Sequence, residues 1–209
     1  MSETKAANPG PLGLSGFAVT TFVLSLVNAN VIKGTETGIV IGLAVFYGGI
    51  AQFAAGMWEF RAGNTFGATA FTTYGAFWLS FAAILIPGFG ANLKASSADR
   101  ALGFYVLAWA IVTGILTLGA LRLNGALSTV FVLLFVTFLA LALGYFTTKA
   151  TATGPNGWTK LGGWLGILTA IAAWYTAMAG ILESASGGAV MLPTFRPVLR
   201  VPERVAARR

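Results

Sequence analysis

The 209-residue chain is 56% hydrophobic and only 9% charged, where a soluble domain carries roughly 25% charged residues, so a water-soluble globule is excluded and an integral membrane protein is expected. Its net charge of +7 is not a nucleic-acid signature. Much of it comes from Arg196, Arg200, Arg204, Arg208 and Arg209 at the end of the chain, a juxtamembrane basic segment of the kind that faces anionic lipid.

Charged residues bracket six apolar stretches, 12–32, 37–58, 66–87, 100–121, 126–148 and 160–183, with charge only at their ends, at Arg100, Lys160 and Glu183. Each is long enough to cross a bilayer, which takes about 20 apolar residues. Runs such as VFVLLFVTFLALALGYF lack the alternation of a membrane barrel. The expectation is an all-α integral membrane protein with six transmembrane helices in one domain, 12–185. A short segment, 1–11, precedes that domain, and a basic tail, 186–209, follows it. The first apolar run is too long for a signal-peptide core and reads as an uncleaved helix.

The chain enters its first helix through Asn8-Pro9-Gly10-Pro11-Leu12-Gly13-Leu14. Proline fixes φ and lacks an N–H, which suits a helix entry, and Asn8 is placed either to cap that helix or to offer its amide to an anion. Helix one then carries Thr20, Thr21, Ser25 and Asn28, and helix two carries Tyr47 and Gln52 before Trp58 and Glu59. Asn64 is a candidate N-cap for helix three. That helix holds Thr69, Thr72 and Thr73 along about one face, with Thr65 continuing it and Tyr74 to the side. Pro87 and Gly88 end it, and a connection over 88–99 leads to helix four with Thr113 and Thr117. Helix five has Ser128, Thr129 and Thr137; helix six has Thr169, Tyr175 and Thr176. From about Gly187 the chain is expected to be extended or loosely ordered, with little to add to a core.

An even number of spans puts both termini on one side. That side carries Lys5, Arg61, Arg122 and the five tail arginines, against Lys33, Lys94, Arg100, Lys149 and Lys160 on the other, and the positive-inside rule places both termini in the cytoplasm. Glycines four apart, Gly38 with Gly42, Gly63 with Gly67 and Gly162 with Gly166, suit close helix packing within the chain or between subunits. Trp58, Trp158 and Trp164 fall near helix ends as interfacial anchors do, while Trp78, Trp109 and Trp174 lie deeper.

The chain has no cysteine and no histidine, which removes disulfides, zinc clusters, histidine-ligated haem and a serine–histidine triad. No lysine sits mid-helix, and Glu59 and Glu183 each lie within about a turn of a helix end, where an interfacial position is the plainer reading. Enzyme chemistry and a cofactor are not expected. What the helices do carry is uncharged donors. A single threonine is more often a back-bond to its own helix than a ligand. As a row, such groups suit a path for a small, weakly held anion or neutral acid, because conduction requires both entry and release.

Asn8-Pro9-Gly10-Pro11-Leu12-Gly13-Leu14-Ser15-Gly16-Phe17 resembles the N-terminal signature of the acetate uptake transporter family, the bacterial succinate–acetate permeases and their fungal relatives. Phe46-Tyr47-Gly48-Gly49-Ile50-Ala51-Gln52, running on to Glu59, and Gly63-Asn64-Thr65-Phe66-Gly67, running on to Phe77-Trp78, agree with it. The resemblance implies a six-helix protomer assembled as a homo-hexamer in the cell (inner) membrane. Each protomer has its own pore for acetate and related monocarboxylates, in some members succinate. It also implies an apolar constriction, which falls on Phe17, Tyr74 and Leu134, with Leu133 the runner-up on helix five. Asn8, Thr20, Gln52, Asn64, Thr69, Thr72, Thr73 and Ala173 are the candidate path residues. Either an anion channel or a proton-coupled permease fits. Ammonium or ammonia export and a non-transporting scaffold are the alternatives.

Overall fold

The computed structural model describes residues 7–33, 38–86, 88–89, 95–149 and 152–199. Lys5, Pro87, Lys94 and the arginines from Arg200 onward, on which the sequence reading of orientation and of one helix stop depends, lie outside them. Six helices carry the fold: α1 Gly10–Asn28, α2 Gly38–Arg61, α3 Thr65–Leu85, α4 Ala95–Ala120, α5 Gly125–Thr147 and α6 Gly157–Ala185. All six are long and apolar enough to span a membrane, and the described residues contain no strand. The chain is a multi-pass α-helical membrane protein. The spans agree with the six apolar stretches to within a turn or so. α1 starts inside the proline-glycine segment, and α4 begins earlier than its first charged residue suggests.

Asparagine starts three of the helices. Asn64, Asn124 and Asn156 accept hydrogen bonds from the backbone N–H groups of Gly67, Leu127 and Thr159, at 3.1, 2.8 and 3.0 Å, satisfying donors that a helix start leaves free. α1 enters differently. Pro9 occupies the N-cap without a side-chain bond, and Asn8 Oδ1 accepts from the Gly10 N–H at 2.9 Å. α2 is not regular throughout. Phe46–Ala51 forms a π-turn between two α-helical halves, where Gly48 and Gly49 lie too close to Thr20, Trp78 and Leu79 to admit a Cβ.

α1 packs between α6 and α2, α6 between α1 and α5, α5 against α4, and α2 against α3. The ring closes along a thinner seam between α3 and α4. Two side-chain hydrogen bonds bridge that seam, Tyr74 to Thr113 at 3.0 Å and Ser80 to Tyr105 at 2.7 Å. Small residues let the backbones meet, as expected in lipid. A Cβ on Gly163 would strike the backbone of Asn28 and Ala29, and one on Gly166 would strike Ser25. Those two serve packing within the chain, whereas Gly38 and Gly42 face open space. Trp58, Trp158 and Trp164 are exposed near helix ends and Trp78 is buried.

After α6 the chain is extended, yet it is docked. Tyr175 Oη donates to the Pro193 carbonyl at 2.7 Å. The N–H groups of Ala126 and Leu199 pair with the carbonyls of Thr194 and Leu121, at 2.9 and 2.8 Å. The segment thus lies across the α4–α5 connection.

Candidate functional site

Three cavities follow one another through the bundle, and α1, α3 and α5, which run in the same direction, set their order. The first is a vestibule of about 420 Å³ lined by the starts of these helices (Asn8 to Leu14, Asn64 to Phe71, Asn124 to Phe131) together with Glu59 and Glu183 near the ends of α2 and α6. Next comes a chamber of about 20 Å³ bounded by Leu14, Phe17, Gln52, Ala70, Phe71, Tyr74, Val130, Phe131 and Leu134. The third is a cavity of about 50 Å³, whose walls include Thr21, Ser25 and Asn28 of α1, Phe77, Trp78 and Phe81 of α3, and Thr137 and Phe138 of α5.

Two apolar plugs divide this path. Phe17 and Leu134 line both the chamber and the third cavity, so they form the wall between them. Tyr74 completes the ring from α3, its centroid 5.7 Å from that of Phe17 and 6.1 Å from that of Phe131. Leu14, Ala70, Phe71 and Phe131 line both the chamber and the vestibule and close the other side. The chamber has room for about one water molecule. Anything larger than a water molecule would fit there only if side chains moved aside.

Phe17, Tyr74 and Leu134, joined in the sequence reading only through the resemblance, meet at one level of the bundle and are all buried. Leu133 lines none of the three cavities and bonds through its carbonyl to the Thr137 hydroxyl at 2.8 Å. Gln52 reaches the chamber from the residue directly after the π-turn. Asn8 and Asn64 face the vestibule, each already holding a helix-start N–H.

The remaining path candidates are not brought to the cavities. Thr20 is fully buried and donates to the Gly16 carbonyl at 2.9 Å, and Ala173 is fully buried in packing. On α3, Thr69 is exposed and donates to the Thr65 carbonyl at 2.8 Å, while Thr72 donates to the Ala68 carbonyl. Thr73 is half-buried. This row lies on a face of α3 other than the one carrying Phe71, Tyr74 and Phe77, and Thr72 packs against Gly56 of α2.

Sequence reasoning gave less weight to two groups of residues. One is the line Thr21, Ser25 and Asn28, spaced i, i+4, i+7 on α1, which with Thr137 supplies the polar wall of the third cavity. Thr21 Oγ1 and Trp78 Nε1 in that wall are buried without a hydrogen-bond partner among the described residues. The other is Glu59, read as interfacial but only 3% exposed. Its Oε2 accepts from Asn64 Nδ2 at 2.9 Å. Among the described residues that line the vestibule, the only charged side chains are the two carboxylates Glu59 and Glu183.

Six membrane-length helices ringed about a line of cavities with an apolar, aromatic-lined centre define the chain as a multi-pass membrane protein. It belongs to the GPR1/FUN34/yaaH family, whose model matches residues 1–196. Ammonia transport outward protein 2 of Saccharomyces cerevisiae is 49% identical over 85% of this chain and 62% of its own length. Acetate permease A of Emericella nidulans is 44% identical over 87% and 64%. The succinate-acetate/proton symporter SatP of Escherichia coli is 40% identical over 91% and 97%. The solved structure of the bacterial acetate channel SatP superposes with a TM-score of 0.80 at 38% identity, over 91% of this chain and 99% of that one. The chain thus spans less than two thirds of the length of the Saccharomyces cerevisiae and Emericella nidulans relatives and nearly all of the Escherichia coli one.

Proposed function

We propose that the chain carries acetate and related small carboxylic acids, succinate among them, across a cell (inner) membrane through the axial path of each protomer. The observation that carries this reading is the run of vestibule, chamber and third cavity interrupted by Phe17, Tyr74 and Leu134. Its setting is a fold shared along nearly the whole of an acetate channel. The ring excludes hydrated inorganic ions, whose water it cannot replace. A short carboxylic acid passes with its methyl group against the rings. Asn8 and Asn64 shape the entrance, and Gln52 supplies the amide at the narrowest level.

The same reading puts both termini in the cytoplasm and the vestibule at the cytoplasmic mouth. Residues 12–185 form the transmembrane domain and 186–209 a basic tail. Gly38, Gly42 and the exposed apolar face of α2 are available to neighbours in a homo-hexamer. No catalytic step is part of the function.

The test is labelled acetate flux into proteoliposomes, with a membrane potential and a pH gradient imposed separately, protein-free vesicles as the baseline and Phe17→Ala as a control. Flux that follows potential alone identifies an anion channel, and flux that needs the pH gradient identifies a proton-coupled permease. Absence of protein-dependent acetate flux refutes the proposal. The name of the yeast relative, an ammonia transport outward protein, makes methylammonium the next solute to try.

A further inference from the structure

The chain beyond α6 forms a strap, 190–199, that returns to the corner between α4 and α5. The N–H groups of Ala126 and Gly125 donate to the carbonyls of Thr194 and Phe195, at 2.9 and 3.4 Å, and the Leu199 N–H donates to the Leu121 carbonyl at 2.8 Å. The pairing is antiparallel and keeps register, 194 with 126, 195 with 125 and 199 with 121. In that register Val198 stands opposite Arg122, and Arg196 lies two positions away along the strap. Both arginines are exposed.

The strap has an inner and an outer side. Leu192, Thr194 and Pro197 are half-buried, and Thr194 lines the vestibule. Met191, Phe195, Val198 and Leu199 are exposed. Phe195 has a φ of 63°, a left-handed conformation that a bulky residue adopts at a cost in free energy. It keeps the ring outside, 63% exposed, while the carbonyl reaches Gly125, where a Cβ would stand 2.9 Å from that of Phe195. α4 and α5 are membrane spans, so the corner that joins them lies at the bilayer surface. Apolar side chains flanked by arginine, at that depth, suit the boundary between headgroups and acyl chains.

We propose that this corner is a binding site for anionic phospholipid: Arg122 and Arg196 hold the headgroup phosphates, Phe195 and its apolar neighbours enter the layer beneath, and an anionic leaflet thereby clamps the strap onto the start of α5. Guanidinium groups suit phosphate through paired hydrogen bonds. Charge along the sequence agrees. Arg196 is the one charged residue in 186–199, and Arg200, Arg204, Arg208 and Arg209 follow against the single Glu203, so the segment is drawn to a negative surface. A soluble phosphate is the poorer occupant, because it brings charge without acyl surface to cover the exposed side chains. The clamp reaches the vestibule because Thr194 is part of its wall. Without it, that wall rests on surface hydrogen bonds of small net worth, set against the strain at Phe195.

The experiment is hydrogen exchange, read by mass spectrometry, on the full chain in lipid nanodiscs. The discs hold phosphatidylcholine alone or with about a third phosphatidylglycerol, enough to set a negative surface potential. Exchange in 121–127 and 190–199 reports release of the strap, and the readout involves no transported solute. Anionic lipid should slow exchange in both segments by at least about tenfold, from about fivefold for each arginine near the surface. Molar salt should remove the difference. Arg122→Gln combined with Arg196→Gln should abolish it, and glutamine at Arg200, Arg204, Arg208 and Arg209 together should leave most of it. Arg196→Glu, exposed and outside every helix, should give the same loss if the paired variant melts early. Equal exchange in the two lipids overturns the proposal, as does a lipid effect that survives the paired substitution. Slowing by glycerol 3-phosphate in neutral discs also overturns it, since the site would then take the phosphate alone.

Discussion

Leu134→Ala is the substitution that isolates the size limit of the ring. Leu134 is 3% exposed and forms part of the wall between a chamber of about 20 Å³ and a cavity of about 50 Å³. Removing its branched end merges the two and leaves Phe17 and Tyr74 to guard a wider gap. Buried Leu→Ala changes cost about 2–5 kcal/mol in soluble cores. Here the low end, about 2 kcal/mol, is expected, because two sides of the side chain already border open volume and lipid offers no hydrophobic drive to be lost.

The effect on selectivity should be larger than the effect on folding. One methylene in a tight apolar slot discriminates by about tenfold or more. The flux ratio of a four-carbon monocarboxylate to acetate should therefore rise by at least about tenfold. Labelled-substrate uptake in proteoliposomes reads the ratio, and a thermal melt in detergent confirms that the variant is folded. A folded variant with an unchanged ratio would falsify the assignment of Leu134 to the size limit and move attention to Phe131, which faces both the chamber and the vestibule.

Tyr74→Phe keeps the ring but strips the hydroxyl from Thr113, which is fully buried. It should cost about 1 kcal/mol of stability in a thermal melt, with the acetate-to-butyrate flux ratio unchanged. Asn64→Ala removes the cap on Gly67 and the hydrogen bond to Glu59, and a loss of about 1–2 kcal/mol should appear in the same assay, with Asn64→Asp milder than alanine if the cap dominates. Gly16→Ala puts a Cβ 2.6 Å from the Tyr47 carbonyl oxygen in the π-turn, where backbone must yield. A penalty of about 1–3 kcal/mol is expected, while Gly42→Ala, facing open space, should leave the melting temperature the same or higher.

The number and type of elements were legible because charge and hydropathy mark where a chain can lie in a bilayer. The helix-three cap was legible because Asn64 directly precedes a long apolar run, a position where its amide oxygen meets the free N–H groups of the helix start. The inward faces were not, and the reason is physical. A soluble helix shows its core side by contrast with water-facing polar residues, but here lipid makes the outer face apolar too, so Phe46, Ile111 and Ile171 are exposed and look like core. The threonine row of α3 drew attention as a donor line, yet threonine in a helix satisfies itself on the carbonyl four residues back, as Thr69 and Thr72 do. The polar line on α1 was visible as a spacing, but only the fold shows that Thr137 of α5 faces it. Gln52 was among the path candidates, but no helical wheel could have placed it, since any wheel drawn through Phe46–Ala51 assumes a regular α-helix.

The one-water chamber between its two plugs has an electrical consequence. An energised membrane stores about 2.3 kcal/mol per elementary charge for each 100 mV, and any continuous thread of water through the protein would drain that store as leak current. Apolar walls on both sides of so small a space break the thread by dewetting. On the proposed transport reading, the resting protein is an insulator. On that reading it can stand in the membrane in many copies without discharging it, and the path opens only for as long as a solute occupies the gap.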